Sequence, residues 1–206
     1  MYTLYTRPGS GGFVVEAALV LAGVPFKQVD VEKSEQPDPA FLKISPLNQV
    51  PVLGLPDSKS MTESAAMCIL LAERHPQAEL APAGDMPARA DFLRWMALMA
   101  SVIYPADLRF YYARRYTTEA GGEKGVRQAA VAEMDRGFAM LDDALRSREW
   151  LAGERFSLAD IYLLMLFSWH PETERARATW KNVERMCAGL RGHPVMEGLN
   201  ARHEMW

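Results

Sequence analysis

Cysteine is scarce in this chain: Cys68 and Cys187 are its only two. They lie far apart and match no metal-ligand or Cys-x-x-Cys spacing. No disulfide framework is expected, and a reducing cytoplasm is the expected setting. No window of about 18 apolar residues is free of charge, so no membrane span is expected. The start, Met1-Tyr2-Thr3-Leu4-Tyr5, reads as a strand. It lacks the charged region and apolar core of a signal peptide. An excess of one charge is also missing: the formal net charge is −3, all of it carried by residues 1–80, and the remainder balances. Such a balance argues against nucleic acid or a membrane surface as partner. Internal repeats and low-complexity tracts are absent too.

What is present is an ordinary globular composition, 49% hydrophobic and 24% charged. At about 150 residues per domain, the chain fits one large or two small domains. Strands are expected at 2–6, 26–31, 52–55 and 59–61, with Pro56-Asp57-Ser58 turning a hairpin between the last two. Helices are expected over 13–22, ending at Gly23, and over 63–74, stopping before His75-Pro76. Residues 40–44 suit a single helical turn. The order β-α-β then β-β-α is a thioredoxin-like arrangement. Pro76, Pro82, Gly84 and Pro87 mark a linker, and the pattern beyond them is helical. Helices are expected at about 88–115, 122–147, 157–169, 174–189 and 194–201. The expected domains are 1–77, a linker 78–87, and an all-helical 88–206.

Two short segments carry the chemistry. In Asn48-Gln49-Val50-Pro51-Val52-Leu53 a proline interrupts a strand entry. Proline cannot donate to a ladder, so the segment reads as an edge or strand start, with a cis bond open to it. Val50 then keeps its main-chain groups free to pair with an extended peptide. Glu63-Ser64 opens a helix, where unpaired N–H groups suit a carboxylate. Each segment alone also reads as a rigid turn or a helix start.

Val50-Pro51 before a strand and Glu63-Ser64 at a helix start resemble the N-terminal domain of the glutathione S-transferase family, which is thioredoxin-like. Tyr5-Thr6-Arg7-Pro8-Gly9-Ser10-Gly11-Gly12 and Phe156-Ser157-Leu158-Ala159-Asp160-Ile161 resemble two further blocks of it. The resemblance spans essentially the whole chain. It implies glutathione as cosubstrate without a metal, a small apolar electrophile, detoxification chemistry and a homodimer. It implies main-chain pairing by Val50, fixed by Pro51, with the cysteinyl unit of glutathione. Ser64 would take the γ-glutamyl carboxylate and Glu63 its ammonium, with Gln49 within reach of the ligand.

The loop before the first helix is where the thiol belongs. A thiolate there would meet helix-end N–H groups and the macrodipole, which lower a thiol pKa. Ser10 reads either as the hydroxyl donor to that sulfur or as a helix cap. Gly11 and Gly12 permit close approach of backbone N–H groups. Matching Pro8-Gly9 to the Pro-Gly of beta-class members puts their cysteine on Gly11. Matching Trp95 puts their His-Lys pair near Tyr104-Pro105. Beta-class cysteine chemistry is therefore absent. Tyr5 is a second hydroxyl near the loop, or a core residue.

Tyr104, Phe110 and Tyr111 form an aromatic helical stretch suited to an apolar electrophile, or to an ordinary core stripe. Trp169-His170-Pro171 could close the same pocket, with His170 as a helix-end residue. Ser157 to Asp160 is a capping box with Asp at its third position, flanked by a Phe156–Ile161 staple. Losing Asp160 is expected to remove about 1 kcal/mol or more. The function expected is glutathione transfer to an apolar electrophile. Two readings stand beside it: a non-catalytic binding or regulatory protein of the same fold, and another glutathione-dependent reaction such as isomerisation, dehalogenation or peroxide reduction.

Overall fold

Alternating burial along Tyr2–Thr6 makes it a strand with one face inward, and it forms β1 of a four-stranded sheet. The computed structural model describes residues 1–34, 36 and 38–206. The elements that follow β1 are α1 (Gly12–Leu21), β2 (Phe26–Asp30), α2 (Pro39–Leu42), β3 (Val52–Gly54), β4 (Ser60–Met61) and α3 (Ser64–Arg74). The sheet order is β2-β1-β3-β4. β1 pairs parallel with β2 and antiparallel with β3, and β4 pairs antiparallel with β3. This is the thioredoxin-like mixed sheet that the element order implies.

Residues Gly12 to Leu19 of α1 are all buried, so the helix is covered on every side. It packs on β1, on α3 and on α10 (Pro194–His203). α10 belongs to the first compact unit, which comprises Met1–Ala83 and Gly192–Trp206. The sequence reading counts these last residues with the helical domain. The structure puts them against α1 because Glu16, the one charged residue of α1, finds its partners there.

The second unit, Gly84–Arg191, is helical. It holds α4 (Ala88–Leu98), α5 (Tyr104–Tyr111), α6 (Glu123–Ala144), α7 (Leu158–Ser168), α8 (Thr173–Thr179) and α9 (Lys181–Arg191). α7 is buried from Leu158 to Phe167 and forms the centre of this unit. One turn of π-helix, Met99–Ile103, joins α4 to α5. Ile103 of that turn fills the space a side chain on Gly137 would need: a Cβ there would lie 2.6 Å from Ile103 Cγ1.

The single helix expected at 174–189 is two. Trp180 turns out of helical geometry (φ −103°, ψ 75°) and packs against Phe138, Phe167 and His170. The Asp142 carboxylate then accepts from the N–H groups of Asn182 (2.7 Å) and Val183 (3.1 Å), capping α9 from α6.

Candidate functional site

Strand register gathers the predicted glutathione residues at one end of the sheet. Tyr5 of β1 faces Val52 of β3, and Leu53 faces Met61 of β4. Continuing both registers by one residue sets Pro51 beside Thr6 and Thr62 beside Val52. The loop 7–11, the Val50-Pro51 step and the Glu63-Ser64 step therefore leave from the same edge. α1 begins at Gly12 and α3 at Ser64, so two helix N-termini open at that edge. Each offers N–H groups and a partial positive charge to an anion.

The Val50–Pro51 peptide is cis. Among the described residues, neither main-chain group of Val50 has a hydrogen-bond partner. The turn before it is fixed by buried Ser45, whose hydroxyl donates to the Gln49 carbonyl (2.8 Å) and accepts from the Gln49 N–H (2.9 Å). The Gln49 side chain is exposed and Pro51 is buried. Ser64 is 8% exposed, at the mouth of α3.

Glu63 has φ 68° and ψ 95°, a conformation that strains a residue with a Cβ. Its side chain is exposed, so burial does not account for it. Strain held at a candidate ligand-contacting residue leads to a prediction. Glu63→Gly is expected to raise stability by about 1 kcal/mol through strain relief. It should at the same time weaken glutathione binding about tenfold through the lost carboxylate. Thermal unfolding and a binding isotherm on the same sample check this; a fall in both quantities would contradict it.

In the thiol loop, Ser10 Oγ donates to the Arg7 carbonyl (2.7 Å) and accepts from the Gly12 N–H (3.3 Å). Thr6 Oγ1 lies 3.3 Å from it. The hydroxyl thus braces the loop. Gly11 is buried, and among the described residues its N–H has no partner. Gly12 is glycine for a packing reason. A Cβ on it would lie 1.8 Å from Thr6 Oγ1 and 2.7 Å from Thr6 Cβ. Sequence reading does not find Thr6, although its place as the last inward residue of β1 points to it. Tyr5 faces the other side of the sheet, its ring 6.2 Å from Phe41 of α2. There it lines a separate cavity of about 490 Å³ with Val31, Phe41, Ile44 and Asn48.

In the helical unit, Tyr104 meets Trp169 edge to face at 5.4 Å. Tyr111 donates its hydroxyl to the Trp169 carbonyl (2.5 Å), and Phe110 packs on Tyr111 at 5.2 Å. The three aromatic candidates form one cluster at the end of α7. His170 is not in it: it is buried, accepts from the Glu172 N–H (3.1 Å) and faces Asp135 at 3.3 Å. Burial lowers its pKa despite Asp135. It is a structural residue of the helix end.

Asp107 lies on α5 between Tyr104 and Tyr111, 2% exposed, and neither carboxyl oxygen has a partner among the described residues. Burial holds its pKa well above the usual carboxylate range. The folded chain therefore keeps a proton that the unfolded chain releases above about pH 4, so this group reduces stability as pH rises from there. Asp107→Leu is expected to gain about 1–3 kcal/mol on the parent between pH 4 and 7. Denaturant unfolding at both pH values checks this; a gap that shrinks with pH would contradict it.

Cys68 and Cys187 are buried, and desolvation pushes both thiols well above their ordinary value. Neither is a reactive nucleophile. Among the described residues no group of three or more His, Cys, Asp or Glu could hold a metal, and no helix is long and apolar enough to cross a membrane.

Comparison with known proteins places both parts of the chain in one family. Residues 4–79 match the model of the glutathione S-transferase N-terminal domain, and residues 84–186 match that of the C-terminal domain. The chain belongs to the glutathione S-transferase family. It is 27% identical over 208 residues, the whole of both chains, to the uncharacterized GST-like protein YncG of Escherichia coli. It is 27% identical over 200 residues to the maleylacetoacetate isomerase of Pseudomonas aeruginosa, covering 95% of this chain and 92% of that one. A glutathione transferase homologue from Sulfitobacter, solved with bound glutathione, superposes with a TM-score of 0.87 at 25% identity, over 100% of this chain and 99% of that one.

Proposed function

We propose that the chain is a glutathione transferase that binds glutathione at the edge of its sheet, ionises the thiol, and directs it at a small apolar electrophile. The observation that carries this reading is the gathering of Val50, Ser64 and Gly11 at one edge. Among the described residues Val50 has no main-chain hydrogen-bond partner and the Gly11 N–H has none, while Ser64 opens a helix. Val50 pairs with the cysteinyl unit, Ser64 takes the γ-glutamyl carboxylate, Glu63 takes the ammonium, and Gln49 and Pro51 shape the contact. The Gly11 N–H and the α1 dipole then meet the sulfur, where a negative charge is stabilised by fixed donors. Gly12 keeps the helix start close to that sulfur. Tyr104, Phe110 and Tyr111 are the apolar contacts for the electrophile.

Ser10 supports the thiol through the loop in this reading. Ser10→Ala is expected to lower kcat/KM about tenfold through loss of the brace, with residual thiolate still formed. Complete loss of thiolate would instead make its hydroxyl the direct donor. The similarity to an isomerase favours a second reading, in which the thiolate adds to an unsaturated substrate and leaves again. Retention on immobilised glutathione, followed by a screen of aryl halides, epoxides and unsaturated acids, tests the proposal. Conjugates support it; no retention contradicts it.

A further inference from the structure

The thiol loop is tied from outside by α10. The Gly9 N–H points at His203 Nδ1, 3.3 Å away. Gly9 has φ +65°, and a Cβ on it would lie 3.6 Å from the His203 carbonyl oxygen. His203 Nε2 lies 2.9 Å from Glu16 Oε2, and Arg202 Nη1 donates to the same oxygen at 2.7 Å. Arg202 Nη2 also reaches Asp30 Oδ1 at the end of β2 (2.6 Å). The His203 side chain is fully buried and Glu16 nearly so. Phe13, in the first turn of α1, stacks edge to face on His203 (5.2 Å) and on Trp206 (5.7 Å).

Proton positions follow from the partners. An amide N–H can only donate, so Nδ1 is the acceptor and carries no proton. Nε2 then carries the proton and gives it to the Glu16 carboxylate. The Arg202 Nη1 to Nε2 distance of 3.1 Å is a meeting of two donors, both directed at Glu16. Both ring nitrogens are thus used, Nδ1 by Gly9 and Nε2 by Glu16. The loop's other side-chain ties are local in sequence: Ser10 Oγ bonds Arg7 and Gly12, and Thr6 Oγ1 at the end of β1 donates to the Arg7 carbonyl (3.4 Å) and lies 3.3 Å from Ser10 Oγ.

We infer that His203 is a positioning residue for thiol activation: it holds the Gly9 amide, and through it the peptide planes that present Gly11 to the sulfur. The C-terminal segment is then part of the glutathione apparatus. This rests on the transferase reading above. A donor displaced by a fraction of an ångström loses much of its hold on a developing anion, so a single tie has a measurable effect.

Two near-isosteric variants separate the tie from simple packing. In His203→Asn the side-chain oxygen occupies the place of Nδ1 and still accepts from Gly9, while the donor to Glu16 is lost. In His203→Gln the amide nitrogen occupies the place of Nε2 and still donates to Glu16, while the acceptor for Gly9 is lost. The inference predicts that His203→Gln speeds hydrogen exchange of the Gly9 amide at least about tenfold. It also raises the pKa of bound glutathione thiol by about one unit, a tenfold change in ionisation. Glutathione affinity shifts less than about threefold, and His203→Asn resembles the parent in exchange and thiol pKa. A merely structural role predicts both variants losing activity in step with their unfolding temperatures. Faster Gly9 exchange with an unmoved thiol pKa overturns the inference. If the parent binds no glutathione, the transferase reading fails on that measurement. The tie is then decided by exchange alone, and unchanged Gly9 exchange in His203→Gln overturns it.

Discussion

Asp160→Ala is expected to lower stability at pH 7 by about 3 kcal/mol or more, far beyond the loss of one helix cap. The carboxylate is fully buried and accepts from three donors: the Leu151 N–H (2.8 Å), the Ser157 N–H (2.8 Å) and the Ser157 hydroxyl (3.0 Å). Ser157 Oγ in turn accepts from the Ala159 N–H (3.2 Å), which completes the capping box. Alanine leaves those donors buried and unpaired, at about 1–3 kcal/mol each. For a domain of this size, about 3 kcal/mol corresponds to roughly 6–12 °C in Tm. The pH dependence gives a second check. Burial raises the Asp160 pKa to about 6, against the pull of its donors. A raised carboxyl pKa means that the folded chain holds the proton more tightly. The stability linked to it is therefore fully present below about pH 4 and is lost as pH rises through 6. The deficit of the variant is accordingly larger at pH 4.5 than at pH 7. A deficit under about 1 kcal/mol, or one that grows with pH, would contradict this account.

Gly12→Ala is expected to damage fold and site together. The added Cβ would sit 1.8 Å from Thr6 Oγ1, where no rotamer change of its own can relieve it. Thr6 is fully buried at the end of β1, and its hydroxyl lies beside Ser10 Oγ. Either β1 or the start of α1 must move. Overpacking of this kind costs about 1–3 kcal/mol, and the upper end is expected here because both neighbours belong to regular elements. A shift of α1 also carries the Gly11 N–H away from the sulfur. Thiolate formation should therefore fall by about 10²-fold or more, as when one fixed donor to an oxyanion is removed. Thr6→Ala in the same chain removes the nearest contact but leaves a Cβ at 2.7 Å, so it should restore part of the stability. Unchanged unfolding and unchanged thiolate formation in Gly12→Ala would refute the packing explanation.

The contrast between these sites shows what could be read from the residues alone. The Ser157–Asp160 box spans four residues and is visible as a pattern; the Leu151 donor that doubles its importance comes from the preceding loop. The strands, the hairpin turn and the Val50 and Glu63 steps were legible because proline, alternation and helix-start residues act locally. α9 was not, since its cap is Asp142, forty residues earlier on α6. The π turn at Met99–Ile103 leaves no mark in a period of 3.6, and Gly137 opposite it looks like a helix weakness until Ile103 is placed. That Thr6 also requires a glycine at position 12 appears only once β1 and α1 are packed together. The loop's outside tie, His203, stands 194 residues from Gly9, and only the fold brings the two together.

The central claim is that this edge binds glutathione and ionises it. An ultraviolet titration of thiolate absorbance in the protein–glutathione complex tests it most directly. The account predicts a bound thiol pKa of about 7 or lower, against about 8.5 for an ordinary free thiol. Glutathione bound with an unshifted thiol, or not bound at all, would contradict it.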